Sequence, residues 1–272
     1  MHEQLEYLQK TFPRYKDEYT PLKNTGLSLV DAFVLYAIIR EKKPRVMIEV
    51  GAGETTKISL KALQLNRNEG HSFEFYSIEP YPGEELRRIH DQNFELIDRK
   101  LQQVNIELLS SADLLLIDSS HVSKIDSDVN YEILEIIPKL KIGSLVHWHD
   151  IVIPTNYWKD WIDHGNMFWN ESYMVHSFML FNNAYKIIWA SRYMTINHFP
   201  QLINNYPESQ YRYKSLVILN IENPDSNWEL LLKEEYSNSM YIESKLTKID
   251  SLRDQAWDLL AISNDQSIDN FL

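Results

Sequence analysis

Asp118 and His121 stand three residues apart in IDSSH, and His147, His149 and Asp150 crowd into LVHWHD. Carboxylates and imidazoles are the side chains that ligate divalent cations and that move protons near neutral pH. A second set lies nearer the start of the chain. IEVGAGETT places Glu49 ahead of Gly51 and Gly53, and Glu79 closes YSIEP further on. Glycines between a strand and a helix let a ligand lie against the backbone. The helix N-terminus beyond them adds unpaired N–H groups and partial positive charge. An acid at the end of the next strand is where a doubly wound sheet holds ribose hydroxyls. Glu54, Thr55 and Thr56 follow Gly53, so the third glycine of the dinucleotide fingerprint is absent. Turn and acid together fit an adenosine ligand without a pyrophosphate. Glu49, Gly51, Ala52, Gly53, Thr55, Glu79 and Asp118 are the cofactor-binding candidates. The bland reading is a tight strand–helix turn with Glu79 as a solvated strand end.

Strands alternating with helices must present these residues. Leu29 to Ile39 (LVDAFVLYAII) predicts a helix apolar on most faces, and Pro44 breaks the chain after it. RVMIEV, FEFYSIEP, FELI, ADLLLID and SLVHWHDI read as strands. Short apolar runs bounded by turn signals suit strands buried on both faces. KISLKALQL, Glu84 to His90, and Asp126 to Leu140 read as helices between them. Val129, Ile133, Ile136, Ile137 and Leu140 form an apolar stripe, and Pro138 makes the last turn irregular. ESYMVHSFMLF predicts a helix, while YKIIWASRYM and SLVILNI predict strands. The whole is an α/β, doubly wound, mostly parallel seven-stranded sheet of Rossmann-like type. Residues 1–221 form the domain, 1–44 its helical lead-in, and 222–272 a polar helical C-terminal extension. Amphipathic patches in that extension suit a homodimer.

In such a sheet ligands gather at the carboxyl ends of the strands, where Asp118 and Asp150 fall. His147 and His149 share one face of their strand. His147, deeper in, reads as a packed, hydrogen-bonded core residue, and Trp148 as packing on a helix. Asp118 capping its loop and His121 on a surface loop are the plain alternatives. Tyr157, Trp158, Trp161 and Trp169 form either a lid over an acceptor or anchors of a long loop.

The segment E-V-G-A-G-E-T with Glu79 resembles the class I S-adenosylmethionine-dependent methyltransferases. NTGLSLVDA (Asn24 to Ala32) and IDSSHVSKIDSDVNYEILEIIPKLKIGSLVHWHDIVIP resemble one bacterial subgroup, the macrolide- and cephamycin-type small-molecule and sugar O-methyltransferases. The resemblance spans roughly Tyr19 to Leu219. It implies S-adenosyl-L-methionine as cofactor, a small-molecule or sugar acceptor, and His121 of D-x-x-H as general base. It further implies a divalent metal at Asp118 and Asp150; His149, ending at the reaction face, joins them as a metal candidate and as a second catalytic candidate. The subgroup carries an acid where His149 stands. Magnesium prefers oxygen, whereas imidazole suits manganese, iron, nickel or zinc, so the departure leaves magnesium, a transition metal or no metal open. Asn170 and Glu171 match an N-E pair of the subgroup, and helix capping by the Asn is its bland explanation.

The chain has 272 residues and a net charge of −12. That balance argues against binding nucleic acid through its phosphates, which needs a basic surface. There are no cysteines, so disulfides, thiolate metal sites and cysteine nucleophiles are excluded. MHEQLEYLQKTFPRYKDEY lacks the apolar core of a signal peptide, and no apolar stretch approaches the ~20 residues of a membrane span. The expectation is a cytoplasmic protein with no membrane or nucleic-acid partner. Two rival functions remain: a non-catalytic cofactor-binding protein in a biosynthetic assembly, and an NAD(P)-dependent oxidoreductase.

Overall fold

The computed structural model describes residues 2–19, 27–205 and 215–221. One sheet runs through them: β1 (Val46–Val50), β2 (Glu74–Ile78), β3 (Phe94–Ile97), β4 (Leu114–Ile117), β5 (Leu145–Trp148), β6 (Tyr185–Ala190) and β7 (Leu216–Asn220). Their order is β3-β2-β1-β4-β5-β7-β6. The first five pair in parallel, and β7 runs antiparallel to both β5 and β6. The expected doubly wound, mostly parallel seven-stranded sheet is therefore what forms.

Burial explains why the central strands read as continuous apolar runs. Every residue of β4 (LLLI) and β5 (LVHW) is buried, because layers cover the sheet on both faces. Edge strand β3 buries none of its residues fully. Helix α1 (Leu29–Lys42) is buried from Val30 to Arg40, which accounts for its lack of a polar face. The Ser28 side chain caps it by accepting from Asp31 N at 3.0 Å, and Lys43, at φ 50°, ends it. α1 packs against α2 (Glu54–Asn68), the helix after the glycine turn.

Three expectations need correction. YKIIWASRYM is not one strand: β6 stops at Ala190, and Ser191–Asn197 is helical. Ser191 is buried, donates to Asp31 at 2.7 Å and accepts from Trp189 Nε1 at 2.8 Å, so long-range hydrogen bonds set the boundary. The helix expected from Glu84 to His90 is a single turn, Glu84–Arg87. The run from Asp126 to Leu140 is helical only from Asp128 to Lys139, with a wide turn at Glu132–Ile136 and a tight one at Ile137–Lys139 that contains Pro138. Asn24, Thr25 and Gly26 of the motif entering α1 lie outside the described residues, as does everything from Glu222 onward, including the expected extension. Among the described residues no helix is long and apolar enough to cross a membrane.

Candidate active site

Hydrogen bonds carried one residue past the strands align the site. Gly51 N donates to the Ile78 carbonyl (2.9 Å), Glu79 N to Ile97 (3.1 Å), Asp118 N to Val50 (2.8 Å) and His149 N to Ile117 (2.9 Å). Residues following β1, β2, β4 and β5 therefore stand in a row along the carboxyl edge of the sheet, where open α/β sheets take ligands.

At the β1 end the reason for the first glycine differs from the expected one. Gly51 has φ +83°, and a Cβ there would lie 2.0 Å from the Asp118 carbonyl oxygen. It is the backbone after β4, rather than a ligand, that forbids a side chain. At Gly53 a Cβ would meet nothing within 4 Å, so that position borders open space. Glu49 lies beneath the turn, fully buried. It accepts from the hydroxyls of Thr56 (2.6 Å) and Ser77 (2.5 Å), while Thr56 Oγ1 also accepts from Gly53 N (3.0 Å). Burial pushes the Glu49 carboxyl up to about 7 against these hydrogen bonds. Glu49 thus braces the turn, and Thr55 is buried next to it. Glu79 is half-buried; one oxygen accepts from Tyr81 N (2.8 Å) and the other lies 3.4 Å from Ala52 N. A cleft of about 470 Å³ opens here, lined by Gly51, Glu79, Leu101, Asp118 and Ser119 among others.

Asp118 also belongs to the second group of candidates, which the fold brings together. His149 Nδ1 lies 3.2 Å from Asp118 and 3.3 Å from Asp150. His121 Nε2 lies 3.5 Å from Asp118 and 3.6 Å from Asp150, and its Nδ1 sits 2.7 Å from Glu171. One ligand atom each from Asp118, His149 and Asp150 falls within 4.8 Å of the others. His121 is buried at 6% exposure rather than set on a surface loop, and Asp118 faces imidazoles rather than capping its own loop. Two non-glycine residues here adopt left-handed backbone, His121 (φ 60°) and Asp150 (φ 57°). Such conformations cost on the order of 1 kcal/mol or more and collect at functional sites.

The charges are strongly coupled. Burial opposes charge on His121, but hydrogen bonds from Asp118 and Glu171 outweigh it and push the imidazole up to about 10. His149 is likewise raised to about 9, with Asp118 and Asp150 overcoming burial. Asp118, despite burial, is held far below the usual carboxylate range by the two imidazoles. His147 behaves differently: burial pulls it down to about 3. It is the core histidine expected, although its Nδ1 has no hydrogen-bond partner among the described residues. Trp148 is fully buried.

The aromatic run divides into two jobs. Tyr157 is an anchor, buried at 7% exposure with its hydroxyl accepting from Ser172 N (3.1 Å). Trp169, half-buried, places its ring 4.3 Å from the His121 ring, as a wall of the reaction space would. Trp161 bridges Tyr157 and Trp169, and Trp158 lies under Arg192. Asn170 is no helix cap: its side chain accepts from Ser123 N (2.6 Å) and donates to the Ser123 carbonyl (3.1 Å). Sequence reasoning assigned no role to Glu171 or Glu132. Both are fully buried acids; the available signal was the acid among apolar residues in EILEII for Glu132 and the N-E match for Glu171.

Comparison with known proteins agrees with this geometry in one respect. Residues 48–151 match the family model of a methyltransferase domain. The class I methyltransferase resemblance is borne out over that stretch, from β1 to just past Asp150. No curated protein matches the chain. Among solved structures, the O-methyltransferase TomG of Streptomyces achromogenes, crystallised with S-adenosylmethionine, is 12% identical, with 80% of this chain and 90% of that one covered and a TM-score of 0.47. The methyltransferase PaMTH1 of Podospora anserina is 13% identical over 82% and 89% of the two chains (TM-score 0.47). An O-methyltransferase from Bacillus cereus is 10% identical over 80% and 91% (TM-score 0.42).

Proposed function

We propose, from the match to a methyltransferase-domain family over residues 48–151, that the protein transfers a methyl group from S-adenosylmethionine to a hydroxyl of a small molecule or sugar. One observation carries the reading: Asp118 lines the cleft beside Gly51 and Glu79 and also faces His121 and His149. A ligand laid along the glycine turn therefore ends where the proton-handling groups begin. Glu79 is the acceptor for the ribose hydroxyls, Ala52 and Gly53 offer the open backbone of the turn, and Glu49 with Thr55 supports it from below. Trp169 walls the acceptor space.

In the transfer the acceptor oxygen forms a bond to the methyl carbon as the carbon–sulfur bond breaks. Sulfur leaves as a neutral thioether, and the hydroxyl proton passes to His121 Nε2. Alignment of the two reactants supplies much of the acceleration. Asp118, His149 and Asp150 would hold a divalent cation. Their mix of carboxylate and imidazole suits manganese, iron, nickel or zinc better than magnesium. A cation there would lower the pKa of a bound hydroxyl and offset the carboxylates that otherwise keep His121 protonated. His149 would act as a ligand in this scheme rather than as a second base.

Calorimetry with S-adenosylhomocysteine and with NADH tests the proposal. Binding of the former alone is expected. Tight NADH binding without S-adenosylhomocysteine binding would replace it with the oxidoreductase reading. Binding without any methyl transfer to a panel of phenols and sugars would favour a non-catalytic cofactor-binding protein.

A further inference from the structure

The Asn170–Glu171 pair is not used by the transfer just described, yet it grips the residue that is. It opens helix α3 (Glu171–Met179). The backbone N–H groups of Asn170 and Glu171 both donate to the His121 carbonyl, at 3.0 and 3.2 Å, while the Asn170 side chain binds both backbone groups of Ser123. This clamp holds His121 at its left-handed φ. The Glu171 side chain is fully buried, and its Oε2 lies 2.7 Å from Nδ1 of the imidazole. The opposite ring nitrogen, Nε2, faces Asp118 and Asp150.

We infer that Glu171 is the positioning residue of His121. It accepts a hydrogen bond from Nδ1–H and so fixes the tautomer whose bare Nε2 faces the acceptor hydroxyl. This rests on the methyl-transfer reading above. Neutral imidazole has one protonated nitrogen, and the partner of that nitrogen decides which one it is. After the hydroxyl proton reaches Nε2, the imidazolium keeps Nδ1–H on the Glu171 carboxylate, which stabilises the charge. Stability alone does not explain such a residue, because a buried carboxylate–imidazole pair is seldom more stable than a packed apolar pair.

The test is nitrogen-15 NMR of the full chain labelled at histidine, with His121→Ala to assign the signal. Wild type is expected to show a protonated Nδ1 on His121 with a low-field proton resonance. That resonance should be lost in Glu171→Gln and retained in Glu171→Asp. Calorimetry in parallel should find S-adenosylhomocysteine affinity in Glu171→Gln within about twofold of wild type. A wild-type His121 with bare Nδ1 and protonated Nε2 overturns the inference, even if no variant folds. So does an unchanged resonance in Glu171→Gln, or loss of cofactor affinity in a folded Glu171→Gln. Failure of wild type to bind S-adenosylhomocysteine strikes the methyl-transfer reading instead, since the Nδ1 proton on Glu171 is read without any cofactor.

Discussion

Two charged clusters, one around the buried Arg40 and one around the buried His121 and His149, are built on opposite rules. Around Arg40, at the far end of α1, the guanidinium is 4% exposed. It donates to Glu18 (2.6 Å), to Glu69 (2.5 Å) and to the Asn66 side chain, while Tyr36 adds a hydrogen bond to Glu18 and Lys43 an ion pair to Glu69. None of the buried side-chain atoms in that group is left without a partner. Around Asp118 the arrangement is looser, with both imidazoles 3.2 to 3.6 Å from Asp118 and Asp150 and only the His121–Glu171 contact short, at 2.7 Å. His149 Nε2, Glu171 Oε1 and Glu132 Oε1 are buried without a hydrogen-bond partner among the described residues. An unpaired buried polar atom costs about 1–3 kcal/mol, so a cluster evolved for stability alone would have closed these gaps. One cluster ties helix to helix; the other keeps coordination in reserve for something that arrives.

The sharpest way to break this contrast is to remove Arg40. Arg40→Leu should lower unfolding free energy by about 3 kcal/mol, because it strands the buried Asn66 side chain and unpairs two partly exposed carboxylates. Urea denaturation reads the loss, and calorimetry on the folded fraction should find unchanged S-adenosylhomocysteine affinity. A weakened affinity would show that the two clusters are not separate. Next in size is Glu79→Ala, expected to weaken S-adenosylhomocysteine binding by about 100-fold, roughly 2.7 kcal/mol, with little change in melting temperature. Wild-type affinity would remove Glu79 from the ribose site.

Glu49→Gln probes the same contrast through pH. The folded Glu49 carboxyl is raised from 4.5 to about 7, so its contribution to stability is full below pH 4.5 and is lost as pH rises through 7. The wild type should lose at most about 3 kcal/mol over that window from this group. The Gln variant should show a flatter profile, measured by denaturation at pH 5 and pH 8. Identical profiles would deny Glu49 its buried charge. The smallest effect is expected at His149. His149→Ala should change stability by about 1 kcal/mol or less in the absence of metal, yet abolish stabilisation by added manganese. For wild type that stabilisation is about 2.7 kcal/mol at a concentration 100 times the dissociation constant. Equal manganese-dependent shifts in both proteins would exclude His149 as a ligand.

The difference between the clusters also marks what sequence reasoning reached. β4, β5 and their trailing Asp118 and Asp150 were legible, because a sheet covered on both faces forces unbroken apolar runs. The burial of His121 was not, since its neighbours Ser119, Ser120 and Ser123 are polar. What encloses it comes from Trp169, Asn170 and Glu171, some fifty positions later. Likewise β6 ends at Ala190 because Ser191 answers to Asp31 of α1, a partner that no local pattern reveals. The glycine turn was found for a partly wrong reason: Gly53 borders open space, but Gly51 is dictated by the backbone after β4, three strands further along the chain.

That last contact bears on how such a protein can be recombined. The place a Gly51 side chain would occupy is filled by the carbonyl of Asp118, so the two segments form a matched pair that cannot be inherited separately. A chimaera with its crossover between residues 51 and 118 would join a turn from one parent to a strand end shaped for another. Crossovers placed before Val46 or after Asp150 keep the pair together. Libraries built on this scaffold should exchange residues 46–150 as one block.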